Sequence, residues 1–193
     1  DHPLILKFVF FSPKNFKGKS KPVIITEYAK NGSLDKLFEN DQDETKEKIL
    51  NDTQKLIIIY GIAEAMSYLH SHEIIHRDLK PGNILLDDLL LPKIADFGLS
   101  KINHSIKSLS IKTIDNSIKG TPIYMAPEIW EKSQYSKSSD VYAFSLIVYE
   151  IITNEKPFKG LNFFQLQFKV INGERPEFKM TIPSSYQKLI ESC

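Results

Sequence analysis

Residues 139–153 read Ser-Asp-Val-Tyr-Ala-Phe-Ser-Leu-Ile-Val-Tyr-Glu-Ile-Ile-Thr, a stretch that is apolar almost all round a helical wheel. Such a helix has no face to offer water and has to be enclosed by other elements, so it predicts the centre of a domain. Its most apolar part, 141–152, is too short to span a bilayer and is interrupted by Ser145 and Glu150. The 193 residues, 41% hydrophobic and 25% charged, supply enough material for one compact domain or two small ones, which excludes disorder and a collagen-like chain. Twenty-five Lys+Arg against 24 Asp+Glu leave a formal net charge of +1, so no bulk field recruits nucleic acid or an anionic membrane surface. Partners have to be read from sites. Cys193, at the last position, is the only cysteine; this excludes a disulfide framework and a Cys-based metal cluster, and predicts a reducing, cytoplasmic setting.

Around the central helix, residues 4–11 and 23–28 are short runs rich in β-branched and aromatic residues, joined by a connector bearing Lys, Pro and Gly. They predict an antiparallel hairpin, marginal by itself, whose first strand keeps an apolar edge in need of cover. Asn31-Gly32-Ser33 predicts a turn, with Ser33 as N-cap of a short helix over 34–38 and a charged loop over 40–48. Leu56, Ile59, Tyr60, Ala63 and Met66 follow the spacing of three and four, predicting an amphipathic helix over 53–70. Between 74 and 93 the apolar runs 74–75, 84–86 and 89–91 alternate with polar loops, which predicts loops with two very short strands. Residues 100–117, rich in Ser, Thr, Lys and Ile without a period, predict a mobile loop, and helices are expected over 163–171 and 184–192.

Three motifs carry chemistry: His76-Arg77-Asp78-Leu79-Lys80-Pro81-Gly82-Asn83, then Asp96-Phe97-Gly98, then Ala126-Pro127-Glu128. In this order they resemble the signature set of eukaryotic protein kinases. The resemblance covers the whole chain and implies an α+β, protein kinase-like fold. Residues 1–28 would be the remnant of the N-lobe and hinge, holding its last two strands; residues 29–193 would be a mainly helical C-lobe, cut short at its C-terminal end. It also implies ATP and Mg²⁺, because phosphoryl transfer needs an aligned hydroxyl and cations on the phosphate oxygens. Asp78 would orient the substrate hydroxyl and accept its proton, Asn83 and Asp96 would offer the hard oxygen ligands that suit Mg²⁺, and Lys80 would reach the transferring phosphate. The plainer readings are a loop-capping aspartate for Asp78 and a solvated lysine for Lys80.

The same resemblance assigns further positions. Thr26, Glu27 and Ala29 look like the gatekeeper and hinge beside the adenine, with Leu85 beneath the ring, although Leu85 read alone is equally an ordinary core leucine. Lys80 before Pro81, with Thr121 in Gly120-Thr121-Pro122-Ile123-Tyr124-Met125, points to Ser/Thr acceptors and places Thr121 in the peptide platform. Gly82 departs from the pattern, since many kinases carry Glu there. Asp140 would anchor the backbone of the catalytic loop; the alternative is a plain helix N-terminal carboxylate. Arg77 resembles the arginine that pairs with an activation-loop phosphate, for which Ser117 is the candidate and Ser110 and Thr113 the reserves. Residues 139–144 and 172–176 resemble the tyrosine-kinase-like group of Ser/Thr kinases. Glu128 expects an arginine partner, and neither Arg77 nor Arg175 sits where the family places it.

The family's glycine-rich loop, β3 lysine and αC glutamate would lie before Asp1, so the chain as written is not expected to be an efficient kinase alone. Two function classes follow: a Ser/Thr kinase in signal transduction, of which this is a partial sequence, or a non-catalytic kinase-like binding module. A decayed product without a stable fold is the third and blandest reading. The expected partners of the kinase are protein substrates bearing Ser or Thr and an upstream kinase, with no nucleic acid and no membrane span.

Overall fold

The computed structural model describes residues 2–41, 50–96, 101–102 and 122–193. The chain opens with β1 (Phe8–Ser12) and β2 (Val23–Thr26), which pair antiparallel with an irregularity between Phe8 and Phe10. Among the described residues this sheet has two strands, and Phe8 and Phe10 on β1 and Ile24 on β2 are 58%, 58% and 67% exposed. The hairpin therefore forms in the predicted runs but shorter than them, since residues 4–7 and 27–28 are outside the strands, and its apolar surface is uncovered.

Helix α1 (Leu34–Asp41) runs past the expected end at residue 38. Ser33 does precede it, but its hydroxyl is donated to the Asp35 carboxylate, which also accepts from the Lys36 N–H at 2.8 Å. Most of the expected charged loop, residues 42–48, lies outside the described residues. Helix α2 (Asp52–Ser71) begins at a reciprocal cap, in which Asn51 Oδ1 accepts from the Gln54 N–H and Gln54 Oε1 from the Asn51 N–H, both at 2.9 Å. Its buried face is Ile58, Ile59, Ile62, Ala65, Met66 and Leu69. Leu56 and Tyr60, placed on the core stripe by spacing, are 52% and 67% exposed. The run Ile57-Ile58-Ile59 makes more than half the wheel apolar, so sequence spacing alone leaves the stripe's phase open. Gly61 is the point where α2 meets the following sheet: a Cβ there would stand 2.5 Å from Pro92 Cγ.

Strand β3 (Ile74–Ile75) pairs antiparallel with β6 (Lys101–Ile102), and β4 (Ile84–Leu86) with β5 (Pro92–Ile94). The third apolar run, 89–91, is a turn and not a strand. Asp87 Oδ1 accepts from the Leu89 and Leu91 N–H groups at 2.9 Å each, and Leu90 adopts φ 62°. Of the loop expected over 100–117, Lys101–Ile102 is strand and residues 100 and 103–117 lie outside the described residues.

A short helix that the sequence reading did not anticipate, α3 (Pro127–Lys132), follows a 3₁₀ turn at Pro122–Tyr124. Helix α4 (Lys137–Thr153) starts at another reciprocal cap, Ser136 with Ser139, and buries eleven residues including Asp140 and Glu150. It is the central element: Leu146, Ile147 and Val148 have no exposed surface. Helices α5 (Phe163–Ile171) and α6 (Ser184–Ser192) match their predicted ranges. No helix among the described residues is long and apolar enough to cross a membrane.

Candidate active site

The loop between β3 and the 3₁₀ turn Pro81–Asn83 is fastened from below by α4. Asp140 is 2% exposed; its Oδ2 accepts from the His76 N–H at 2.8 Å and its Oδ1 from the Arg77 N–H at 2.9 Å. His70, in the last turn of α2, brings Nε2 to 2.9 Å from the same Oδ2. A carboxylate with three donors is the chemistry a buried charge requires. The backbone of Arg77 is left-handed, at φ 72°, and its guanidinium lies over the Tyr135 ring, 5.5 Å from the centroid.

His76 is fully buried; Nε2 lies 3.0 Å from the Ala95 carbonyl and Nδ1 accepts from the Asp78 N–H at 3.3 Å. Burial pushes its pKa down. The Ala95 hydrogen bond and the charges of Asp140, Asp78 and Asp96 oppose that shift, which places three carboxylates around this ring. A neutral imidazole donating at Nε2 and accepting at Nδ1 fits both contacts.

Asp78 then emerges half-buried. Lys80 Nζ holds its Oδ2 at 2.7 Å, and Asn83 Nδ2 donates to the same oxygen at 3.1 Å and to the Asp78 carbonyl at 2.7 Å. These contacts lock Oδ2, and among the described residues Oδ1 has no hydrogen-bond partner, so it is the oxygen that can meet a proton donor. They also commit the nitrogen end of the Asn83 amide, so its oxygen is the ligand end. The β4–β5 ladder brings Asp96 to the same place: Ile84 pairs with Ile94, and the Ala95 N–H donates to the Asn83 carbonyl at 2.8 Å. Asp96 has φ 60° and is exposed. Among the described residues no three His, Cys, Asp or Glu side chains form a metal cage. One carboxylate and one amide oxygen, completed by substrate phosphates, is instead the kind of donor set that Mg²⁺ takes.

The hinge candidates lie where β2 ends. The Glu27 N–H donates to the Lys7 carbonyl at 2.9 Å, its Oε1 accepts from the Lys7 N–H at 2.9 Å, and its carbonyl accepts the Thr26 hydroxyl at 3.1 Å. The Ala29 carbonyl accepts from the Gly32 N–H at 3.3 Å, and Gly32 and Asn31 are tied to Leu86 on β4 by backbone bonds of 2.8 and 3.1 Å. Leu85 is half-buried and alternates with Ile84 and Leu86, both fully buried, so it stands on the other face of β4. Glu128, in the first turn of α3, makes no ion pair among the described residues. Arg175 lies over the Tyr142 ring at 4.8 Å and donates to the Cys193 carbonyl at 2.8 Å. Thr121, Ser110, Thr113 and Ser117 lie outside the described residues.

Two contacts at the site escaped the sequence reading. One is His70 on Asp140. The other joins Tyr124, in the 3₁₀ turn, to Glu150 on α4: the phenol donates to Glu150 Oε2 with both groups buried. Burial raises the pKa of both, and Lys156 Nζ lies 3.9 Å from the other Glu150 oxygen. The available signal was Glu150 itself, a carboxylate on an otherwise apolar helix that has to find a donor.

The buried aspartate under the loop, the Asp78–Lys80–Asn83 cluster and Asp96 across the β4–β5 ladder bring the residues of the first two signature motifs together in one place. The protein kinase domain family model matches residues 1–193, and the chain belongs to the protein kinase family. It is 36% identical over all of its 193 residues to a protein of Dictyostelium discoideum named as a LIM domain-containing serine/threonine-protein kinase. It is 35% identical over 88% of its length to a serine/threonine-protein kinase/receptor of Acanthamoeba polyphaga mimivirus, and 28% identical over 99% to serine/threonine-protein kinase A of Trypanosoma brucei brucei. The chain spans 28%, 10% and 42% of the lengths of these three relatives.

Proposed function

We propose that the protein carrying this chain transfers the γ-phosphate of ATP to Ser and Thr hydroxyls of protein substrates in signal transduction, acting in the cytoplasm. Residues 1–28 would serve as small-lobe strands and hinge, and residues 29–193 as the large lobe. The observation that carries the reading is the Asp78 carboxylate, with one oxygen held by Lys80 and Asn83 and the other without a partner among the described residues, where a hydroxyl could reach it. The names of the relatives support the Ser/Thr acceptor, and Lys80 before Pro81 agrees with it.

Asn83 and Asp96 would hold Mg²⁺, which neutralises charge on the phosphate oxygens when bound. Thr26, Glu27, Ala29 and Leu85 would receive the adenine, Thr121 would sit in the peptide platform and Glu128 would brace it. Asp78 aligns the acceptor hydroxyl and takes its proton at Oδ1, while the Lys80 ammonium keeps the carboxylate in place and adds positive charge beside the incoming phosphoryl group. Arg77 would receive a phosphate on Ser117, put there by an upstream kinase. In the purified protein, Asp78→Asn is expected to lower the turnover of a generic acceptor such as casein by about 10²- to 10⁴-fold, the scale of a lost general base. Unchanged transfer would remove Asp78 from the chemistry and the reading with it.

A further inference from the structure

A second concavity lies away from the loop that holds Asp78. Its volume is about 160 Å³, and Tyr149, Phe158 and Leu161 give it an aromatic and aliphatic lining. Tyr149 stands nine residues after Asp140 on α4, about 13 Å further along the helix axis, so the two places share a rigid element but no side chain. Two left-handed residues, Phe158 at φ 54° and Gly160 at φ 88°, bend the α4–α5 connection that forms one wall. Phenylalanine holds this conformation only where its surroundings over-determine it, a condition that gathers at ligand sites. The Tyr149 hydroxyl donates to the Glu177 carbonyl at 2.9 Å and so ties α4 to the opposite wall.

The polar part of the wall is basic. Lys156 and Lys159 come from the α4–α5 connection, Lys169 from α5, and Arg175 and Lys179 from the segment before α6. Against these five cations stand two carboxylates, Glu155 and Glu177, in a chain whose formal net charge is only +1. Pairing absorbs part of the excess: Lys179 meets Glu155 at 3.4 Å, Lys169 meets Glu174, and Lys156 lies 3.9 Å from Glu150. Lys159 makes no ion pair among the described residues. Arg175 donates to a neutral partner, the Cys193 carbonyl, and its Nε is buried without a hydrogen-bond partner. Like charges gathered in a concavity raise the local concentration of anions. Lysines are mobile point charges, which suit several phosphates at variable spacing better than one planar carboxylate. The volume is below the roughly 300 Å³ at which drug-sized sites begin, so it suits phosphoryl groups on a small ring rather than a whole nucleotide.

We propose that this cavity binds an inositol-phosphate type of polyanion, a compact ring carrying phosphomonoesters, presented free or as a lipid headgroup. The cations take the phosphates, and Tyr149, Phe158 and Leu161 pack against the carbon ring. The proposal does not depend on the phosphotransfer reading.

The test is isothermal titration calorimetry of the full protein with inositol hexakisphosphate, beside co-sedimentation with phosphatidylcholine vesicles with and without phosphatidylinositol bisphosphate. Lys159→Gln/Lys179→Gln removes two charges from the cavity, Lys36→Gln/Lys188→Gln removes two from elsewhere, and Lys159→Arg/Lys179→Arg keeps the charge. All four lysines are exposed, so the substitutions spare the core. The wild-type protein is expected to bind at one site, more weakly as salt rises. Binding should fall roughly 30-fold in Lys159→Gln/Lys179→Gln, the scale of two lost phosphate-facing lysines, and stay within about threefold of wild type in the other two variants. Binding of the soluble probe alone assigns the site to a free phosphate, and sedimentation with the bisphosphate vesicles alone assigns it to a headgroup. Either result upholds the proposal when Lys159→Gln/Lys179→Gln abolishes it. Absence of saturable binding to both probes would overturn the proposal. So would equal weakening in the two Gln variants, which would mark diffuse surface charge. A phosphoserine peptide that binds the cavity where both inositol probes fail would give the site to a phosphoprotein and refute the proposed ligand.

Discussion

The Tyr124 hydroxyl donates to the Glu150 carboxylate, tying the 3₁₀ turn ahead of α3 to the central helix. Glu150 is 1% exposed, and burial raises its pKa above the usual 4.5 despite the Tyr124 bond and Lys156. A carboxyl whose folded pKa exceeds its unfolded one holds its proton more tightly when folded. This site therefore favours the folded state at low pH and loses that contribution as pH rises from about 4.5 through the folded pKa. Glu150→Gln cannot titrate yet still accepts from Tyr124. The unfolding free energy of Glu150→Gln minus that of wild type is expected to grow with pH across that window in denaturant titrations. A difference that stays flat or falls with pH would contradict the burial argument.

Gly82 stands against α1. A Cβ at this position, where the family resemblance expects a glutamate, would lie 3.1 Å from Asp35 Oδ2. Gly82→Glu is expected to set two carboxylates side by side and to lower the unfolding free energy by about 1 kcal/mol, the Coulomb energy of like charges about 4 Å apart in water. Asp35→Asn should recover most of it. The same loss with Asp35→Asn present would show that the obstacle is steric.

Arg77 presents its guanidinium beside Tyr135, and its Nε is buried without a hydrogen-bond partner among the described residues. If Arg77 receives a phosphate from Ser117, Ser117→Ala lowers the activity of the full kinase and Ser105→Ala leaves it unchanged. Equal activities in the two variants, measured as initial rates on casein, would detach Ser117 from Arg77.

The parts of the fold that were legible in the sequence are those where local chemistry decides. Helix α5 starts at the Asn162 cap, α6 carries one apolar stripe through Tyr186, Leu189 and Ile190, and α4 is apolar almost all round, so their positions follow from the residues alone. The phase of α2 was not legible, because Ile57, Ile58 and Ile59 supply apolar surface in three directions and only packing chooses among them. Which stretches between 74 and 93 are strands was not legible: the leucines at 89–91 look more strand-like than Pro92-Lys93-Ile94, yet Asp87 captures two of their amides into a turn. At the site, the motifs drew attention to Asp78, Lys80, Asn83 and Asp96, and the structure brings Asp78, Lys80 and Asn83 into hydrogen-bond contact. His70 and Tyr124 were not legible, since each acts on a residue far along the chain and looks ordinary beside its neighbours.

The most direct test is phosphoamino-acid analysis of casein after incubation with labelled ATP, Mg²⁺ and the purified protein, wild type beside Asp78→Asn. The account predicts label on serine and threonine with the wild-type protein and its loss, by at least about 10²-fold, with Asp78→Asn. Label on tyrosine, or equal label from the two proteins, would contradict it.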